Sequence, residues 1–110
     1  SSVMLKNLSN TTLGVWSAHG EGRFNYKNKD YKYNIAGKFL YNEYPGNPNG
    51  SDQNTAILYS KDGRHLSMMP HLERSIFPWN WAYYDHNNSN HEITPWIKAF
   101  INARKWFESI

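Results

Sequence analysis

Thr55-Ala56-Ile57-Leu58-Tyr59-Ser60-Lys61-Asp62-Gly63-Arg64-His65-Leu66-Ser67-Met68-Met69 is the stretch from which the fold is read. Two apolar runs flank the turn Lys61-Asp62-Gly63-Arg64, whose Asp-Gly pair supplies the positive φ angles of a tight turn, so these residues predict a β-hairpin. Pro70 follows and biases Met69 towards an extended conformation, which carries the second strand up to His71. Residues two apart in an extended segment project to the same side, so His71 and Glu73 are placed to face a common site.

Upstream, Leu13-Gly14-Val15-Trp16-Ser17-Ala18-His19 alternates in the manner of a short buried strand and runs into the turn Gly20-Glu21-Gly22. Residues 24–33 are polar and rich in tyrosine, a loop with weak strand character, and Gly37-Lys38-Phe39-Leu40-Tyr41 is a further strand candidate. Two prolines and two glycines in Pro45-Gly46-Asn47-Pro48-Asn49-Gly50-Ser51-Asp52 forbid regular structure and mark an ordered turn region. Downstream, residues 77–84 are crowded with rings and 85–91 form a polar loop tip. Thr94 then predicts an N-cap with Pro95 at the first helical position. Trp96, Phe100, Ala103 and Phe107, with Ile97 and Ile101 beside them, predict one apolar helical face. Ile97 stands where a capping box would need an acid or amide.

The chain of 110 residues is one small domain in size, and 39% hydrophobic residues with Trp 5, Tyr 8 and Phe 5 exclude a disordered composition. A formal charge of +3 comes from scattered Lys and Arg, which argues for neither nucleic acid nor an anionic membrane as partner. No apolar run approaches the roughly 20 residues of a spanning helix, and Ser1-Ser2-Val3 lacks a signal peptide's layout. With Cys 0, disulfides and thiolate metal sites are excluded, and a reducing, cytoplasmic setting is expected. The sequons at Asn7, Asn10, Asn49 and Asn87 carry little weight in so asparagine-rich a chain. Taken alone, the pattern is α+β: several strands including a hairpin, then one C-terminal helix. A single helix is little cover for such a sheet.

A histidine with a nearby carboxylate suits nucleophilic acyl transfer. A thiol or hydroxyl attacks, the imidazole takes its proton, and the carboxylate holds the imidazole's tautomer and orientation. An isolated His-x-Glu is a weak signal, and the cysteine that a thiol mechanism needs is not in this sequence.

The wider pattern is more specific. Met68-Met69-Pro70-His71-Leu72-Glu73-Arg74, preceded by His19-Gly20-Glu21-Gly22-Arg23 and Asn47-Pro48-Asn49-Gly50-Ser51, resembles the glutamine amidotransferase domain of the phosphoribosylformylglycinamidine synthases. Thr94-Pro95-Trp96 to Asn102-Ala103-Arg104 resembles that family's terminal helix, so the likeness spans nearly the whole chain. It implies a class I, flavodoxin-like α/β domain of which residues 1–110 are the C-terminal portion, the nucleophile-bearing N-terminal portion being absent.

The resemblance implies His71 and Glu73 as the base and its orienting carboxylate, acting on glutamine with an upstream cysteine. It assigns His19, Gly20 and Glu21 to glutamine's amino-acid end, and Asn49, Gly50 and Ser51 to a loop that lines or buttresses the site. The ammonia would serve ATP- and magnesium-dependent conversion of formylglycinamide ribonucleotide to the amidine in purine biosynthesis. These residues hold no cofactor of their own, and the implied partners are glutamine and the remainder of the synthetase polypeptide. Leu72 departs from the family, in which many members have proline there. The absent cysteine is the larger departure, and the fragment by itself is expected to be inactive.

Readings from other classes compete. Phe77, Trp79, Trp81, Tyr83 and Tyr84 could stack carbohydrate or single-stranded nucleic acid in a stand-alone binding module, although core packing is the commoner use of such rings. A noncatalytic, amidotransferase-like interaction domain is a third reading. His65, His71, His86 and His91 with Glu73 match no zinc spacing, so no metal is expected.

Overall fold

The runs on either side of Asp62-Gly63 pair as the sequence predicts, in a computed structural model that describes residues 2–81 and 94–110. Tyr83, Tyr84, His86, Asn87 and His91 lie outside the described residues, as does the asparagine-rich stretch 85–91. Three strands, β1 (Ile35–Lys38), β2 (Thr55–Tyr59) and β3 (Leu66–Met68), form an antiparallel sheet in the order β1-β2-β3. The hairpin register sets Ile57 against Met68, Leu58 against Ser67 and Tyr59 against Leu66.

Its loop is the expected four-residue turn Lys61-Asp62-Gly63-Arg64, with one positive φ rather than a pair of them. Gly63 takes a φ of +76° while Asp62 does not enter the positive region, and Ser60 N–H donates to His65 O at 3.0 Å, closing a loop of residues 61–64. Asp62 works through its side chain instead. Its carboxylate accepts from Ser60 Oγ at 2.5 Å and from Arg64 N–H at 3.1 Å, with Arg64 Nε at 2.9 Å. These donors hold the Asp62 carboxyl well below the usual carboxylate range, led by the Ser60 hydroxyl.

β2 is the centre of the sheet, and its first three residues, Thr55, Ala56 and Ile57, are all buried. A half-exposed strand would alternate; three in a row means that both faces are covered. Tyr26 covers one face through a hydroxyl contact with Thr55. β1 lies earlier than the predicted 37–41 strand, and Leu40 and Tyr41 are exposed. The cause lies at Gly37, where the register shifts on both sides. A Cβ there would stand 2.7 Å from Ile57 Cδ1, so the missing side chain lets β1 close on β2.

The predicted strand at 13–19 does not form a ladder; these residues are without assigned regular structure. Leu13 and Val15 nonetheless pack on the core of Leu72, Trp96 and Ala99, together with Met4, Leu5, Met68 and Trp81. Gly14 O accepts both indole N–H groups, from Trp81 at 2.6 Å and from Trp96 at 3.0 Å. Trp81 therefore packs inward, whereas Phe77 and Trp79 stack on each other at the surface with centroids 4.8 Å apart.

The C-terminal helix α1 (Ile97–Ser109) forms as predicted, and its entry is two residues later than Thr94-Pro95 implied. Ile97 N–H reaches Thr94 O at 3.2 Å and Lys98 N–H reaches Pro95 O at 3.1 Å, a tight first turn before the regular helix. Thr94 Oγ1 accepts from Trp96 N–H at 3.3 Å and donates to Ser75 O at 2.6 Å, which ties the helix start to the segment after Glu73. The buried face is turned from the predicted one. Trp96 and Ala99 are buried and Asn102, Ala103 and Trp106 partly so, while Phe100 is 38% and Phe107 72% exposed. Asn102 decides this rotation by donating to Met4 O at 2.9 Å and Lys6 O at 2.7 Å. Among the described residues no helix is long and apolar enough to cross a membrane.

Gly37→Ala should lower the unfolding midpoint of the purified chain, because the added methyl must displace Ile57 at a cost of about 1–3 kcal/mol. Combining it with Ile57→Val, which removes the Cδ1 met at 2.7 Å, should restore part of the loss; a midpoint unchanged by Gly37→Ala would refute the close approach.

Candidate active site

The site begins where β3 ends. Met69 N–H donates to Ala56 O at 2.9 Å, extending the pairing one residue past Met68, and Pro70 is buried beside it. The chain then turns through a single 3-10 turn, Leu72–Arg74, in which Arg74 N–H reaches His71 O at 3.2 Å and Ser75 N–H reaches Leu72 O at 3.0 Å. The predicted extended His-x-Glu is thus a turn, and the two side chains meet by a different route. Leu72 is 3% exposed and plugs into the core against Trp96 and Ala99. With Leu72 pointing inward, His71 and Glu73 are left on the outside of the turn. Burial anchors this turn where a proline ring would have restricted it covalently.

His71 Nδ1 lies 2.8 Å from Glu73 Oε1, with side-chain exposures of 39% and 60%. An Nδ1–H donating to the carboxylate leaves the Nε2 lone pair free to take a proton. The Glu73 carboxyl is held below the ordinary range, first by the bond from His71, then by its own backbone N–H, with the charge of Arg74 adding to both. The pair therefore combines a persistent anion with an oriented imidazole on an accessible edge.

The other two motifs converge nearby. The 19–22 turn closes through Gly22 N–H to His19 O at 3.0 Å, with Gly20 at a φ of +57°. Asn49 Nδ2 donates to Gly20 O at 2.6 Å and to Gly22 O at 2.8 Å, and stands 3.2 Å from His19 Nδ1. A Cβ on Gly22 would lie 3.1 Å from Met69 Sδ, so the turn rests on the residue two before His71. Glu21 is exposed beside it.

The loop residues separate into two roles. Ser51 is buried: its N–H donates to Asn47 Oδ1 at 3.0 Å, its carbonyl accepts from Asn47 Nδ2 at 3.0 Å, and its hydroxyl accepts from Phe24 N–H at 3.0 Å. Ser51 is a buttress. Gly50 makes the turn at a φ of +72°, and Asn49 reaches across to the His19 segment. Asp52, which sequence reasoning passed over, accepts from Tyr26 N–H at 2.8 Å and pairs with Lys29. These bonds, led by that of Lys29, hold the Asp52 carboxyl below its ordinary value. Among the described residues there is no cluster of three or more His, Asp or Glu that could hold a metal ion.

The sequence pattern of the CobB/CobQ-like glutamine amidotransferase domain matches residues 1–107. The chain belongs to that family. The amidotransferase sequence is 38% identical over 131 residues to the probable phosphoribosylformylglycinamidine synthase of Caenorhabditis elegans, covering 96% of this chain and 10% of that protein. The synthases of Dictyostelium discoideum and Homo sapiens are each 38% identical, over 125 and 116 residues, covering 98% and 94% of this chain. The chain spans about a tenth of the length of these relatives. The resemblance read from the three motifs is therefore correct, and the amidotransferase domain has them in contact.

Because the folded-state value of Glu73 is depressed, its charge stabilises the amidotransferase turn above the ordinary carboxylate range, and that contribution is lost as pH falls through the depressed value. A carboxyl-resolved titration should place Glu73 below its ordinary value of 4.5, and His71→Ala should return it towards that value. An unshifted Glu73 would remove the support for the bond.

Proposed function

We propose that this chain supplies the base and orienting carboxylate of a glutaminase site, as part of a phosphoribosylformylglycinamidine synthase. The observation that carries the reading is the 2.8 Å contact of His71 Nδ1 with Glu73 Oε1, formed just past the end of a strand, which leaves Nε2 as the nitrogen able to take a proton. The chain has no cysteine, so the nucleophile would come from residues beyond these 110.

In that scheme His71 Nε2 takes the proton of a cysteine thiol as its sulfur bonds to glutamine's side-chain amide carbon. His71 then returns the proton to nitrogen as the C–N bond breaks, releasing ammonia and leaving a glutamyl thioester. His71 next takes a proton from water as the water oxygen bonds to the thioester carbon, and glutamate leaves as the thiol is restored. Glu73 holds Nδ1–H throughout and stabilises the imidazolium formed in each step. His19, Gly20 and Glu21 would meet glutamine's amino-acid end, the 19–22 turn being held against Met69.

The ammonia would pass to a synthetase site in the remainder of the polypeptide, where ATP and magnesium serve conversion of formylglycinamide ribonucleotide to the amidine. A flavodoxin-like α/β parent would supply neighbours for residues 13–19, which lack assigned regular structure, and for the exposed Phe100 and Phe107. The setting proposed for this chain is the cytoplasm, with neither nucleic acid nor membrane as partner. The binding-module reading has one feature in its favour, the exposed Phe77–Trp79 stack. It leaves the His71–Glu73 pair without a purpose.

In the complete synthase, His71→Ala should lower glutamine-dependent synthesis by at least about a hundredfold and largely spare synthesis from added ammonia. Equal loss of both activities would overturn the assignment. The purified chain should release no ammonia from glutamine, and measurable turnover would show that the nucleophile is not a cysteine supplied from elsewhere.

A further inference from the structure

Asn49 joins two segments that lie about thirty residues apart in the chain. Its amide carries two hydrogens, and the two shorter contacts, to Gly20 O at 2.6 Å and Gly22 O at 2.8 Å, account for both. His19 Nδ1 lies 3.2 Å from the same nitrogen, with no third hydrogen left to bond it. One side chain thus sets the direction of two peptide planes.

The peptide planes matter for recognition. In a trans peptide the C=O and the following N–H point in opposite directions. With the carbonyls of Gly20 and Gly22 drawn to Asn49, the N–H groups of Glu21 and Arg23 face away from it. Neither N–H has a hydrogen-bond partner among the described residues. Asn49 is itself held: the neighbouring Asn47 is locked by Ser51 and Asn54, and Gly50 N–H bonds Asn47 O at 3.3 Å. On its far side the same turn rests on Met69, in the segment that leads to His71.

We infer that Asn49 is a positioning residue for glutamine: its amide clamps the 19–22 turn so that backbone N–H groups are presented to the substrate, and the clamp sets affinity for glutamine without entering the chemistry. This rests on the proposed glutaminase reading. A general structural role would instead be spread over stability and every activity of the enzyme.

Kinetics of the complete synthase, with glutamine and with added ammonia, separate the two. Asn49→Ala removes both donated bonds, and Asn49→Asp keeps the shape while setting carboxylate oxygens against two carbonyl oxygens. Asn49→Ala should raise KM for glutamine about tenfold, the effect of losing two ordinary hydrogen bonds, with Asn49→Asp at least as severe. In both, kcat and ammonia-dependent synthesis should change little. An unchanged KM in either variant would overturn the clamp. So would parallel loss of glutamine- and ammonia-dependent synthesis in both, which would assign Asn49 to folding alone. His71→Ala in the same enzyme reports separately: if it spares glutamine-dependent turnover the glutaminase reading fails, whereas if it abolishes turnover and Asn49→Ala keeps a normal KM, only the clamp fails.

Discussion

Burial of Leu72 against Trp96 and Ala99 is the contact on which the candidate site depends. It joins the end of β3 to the start of α1, and a residue driven into the core in the middle of a 3-10 turn leaves its two neighbours facing out. His71 and Glu73 are those neighbours. Their hydrogen bond is then a short-range event on an anchored turn, with little freedom left to lose when it forms. Thr94 adds a second tie from the helix entry to Ser75, just after the turn. The site's geometry is therefore inherited from core packing rather than built from surface loops.

A second frame of buried polar groups supports the other side. Asn47, Ser51 and Asp52 satisfy backbone groups of the 24–26 segment and of their own loop, so this glycine- and proline-rich stretch is ordered without regular structure. Such networks hold a single geometry because each unmade bond would leave a desolvated group. Asn49 extends the frame to the His19 turn, and Gly22 brings that turn onto Met69. Three motifs separated in sequence thereby share one edge of the molecule, as expected for residues that serve one reaction.

Membership of the amidotransferase family is the frame in which the proposed site is read. The chain's relatives are roughly ten times longer, and its own composition has no thiol. The described residues contribute a histidine bonded to a carboxylate and a turn tied by Asn49.

Local chemistry was legible in the residues. The hairpin followed from apolar runs around Asp62-Gly63 and the helix from its period, while His71 and Glu73, expected to meet along an extended segment, meet on a 3-10 turn. Each depends on residues close in the chain, where conformational preference and side-chain period act directly. Long-range contacts decided the rest. Residues 13–19 alternate like a strand, but a ladder needs a partner, and here they serve instead through Gly14 O as acceptor for two indoles. The helix shows Trp96 and Ala99 to the core rather than Trp96, Phe100 and Phe107 because Asn102 binds the carbonyls of Met4 and Lys6, contacts nearly a whole chain length away. The role of Asn49 was hidden for the same reason: periodicity reports which face a residue occupies, while the partner across a fold is set only when the segments meet.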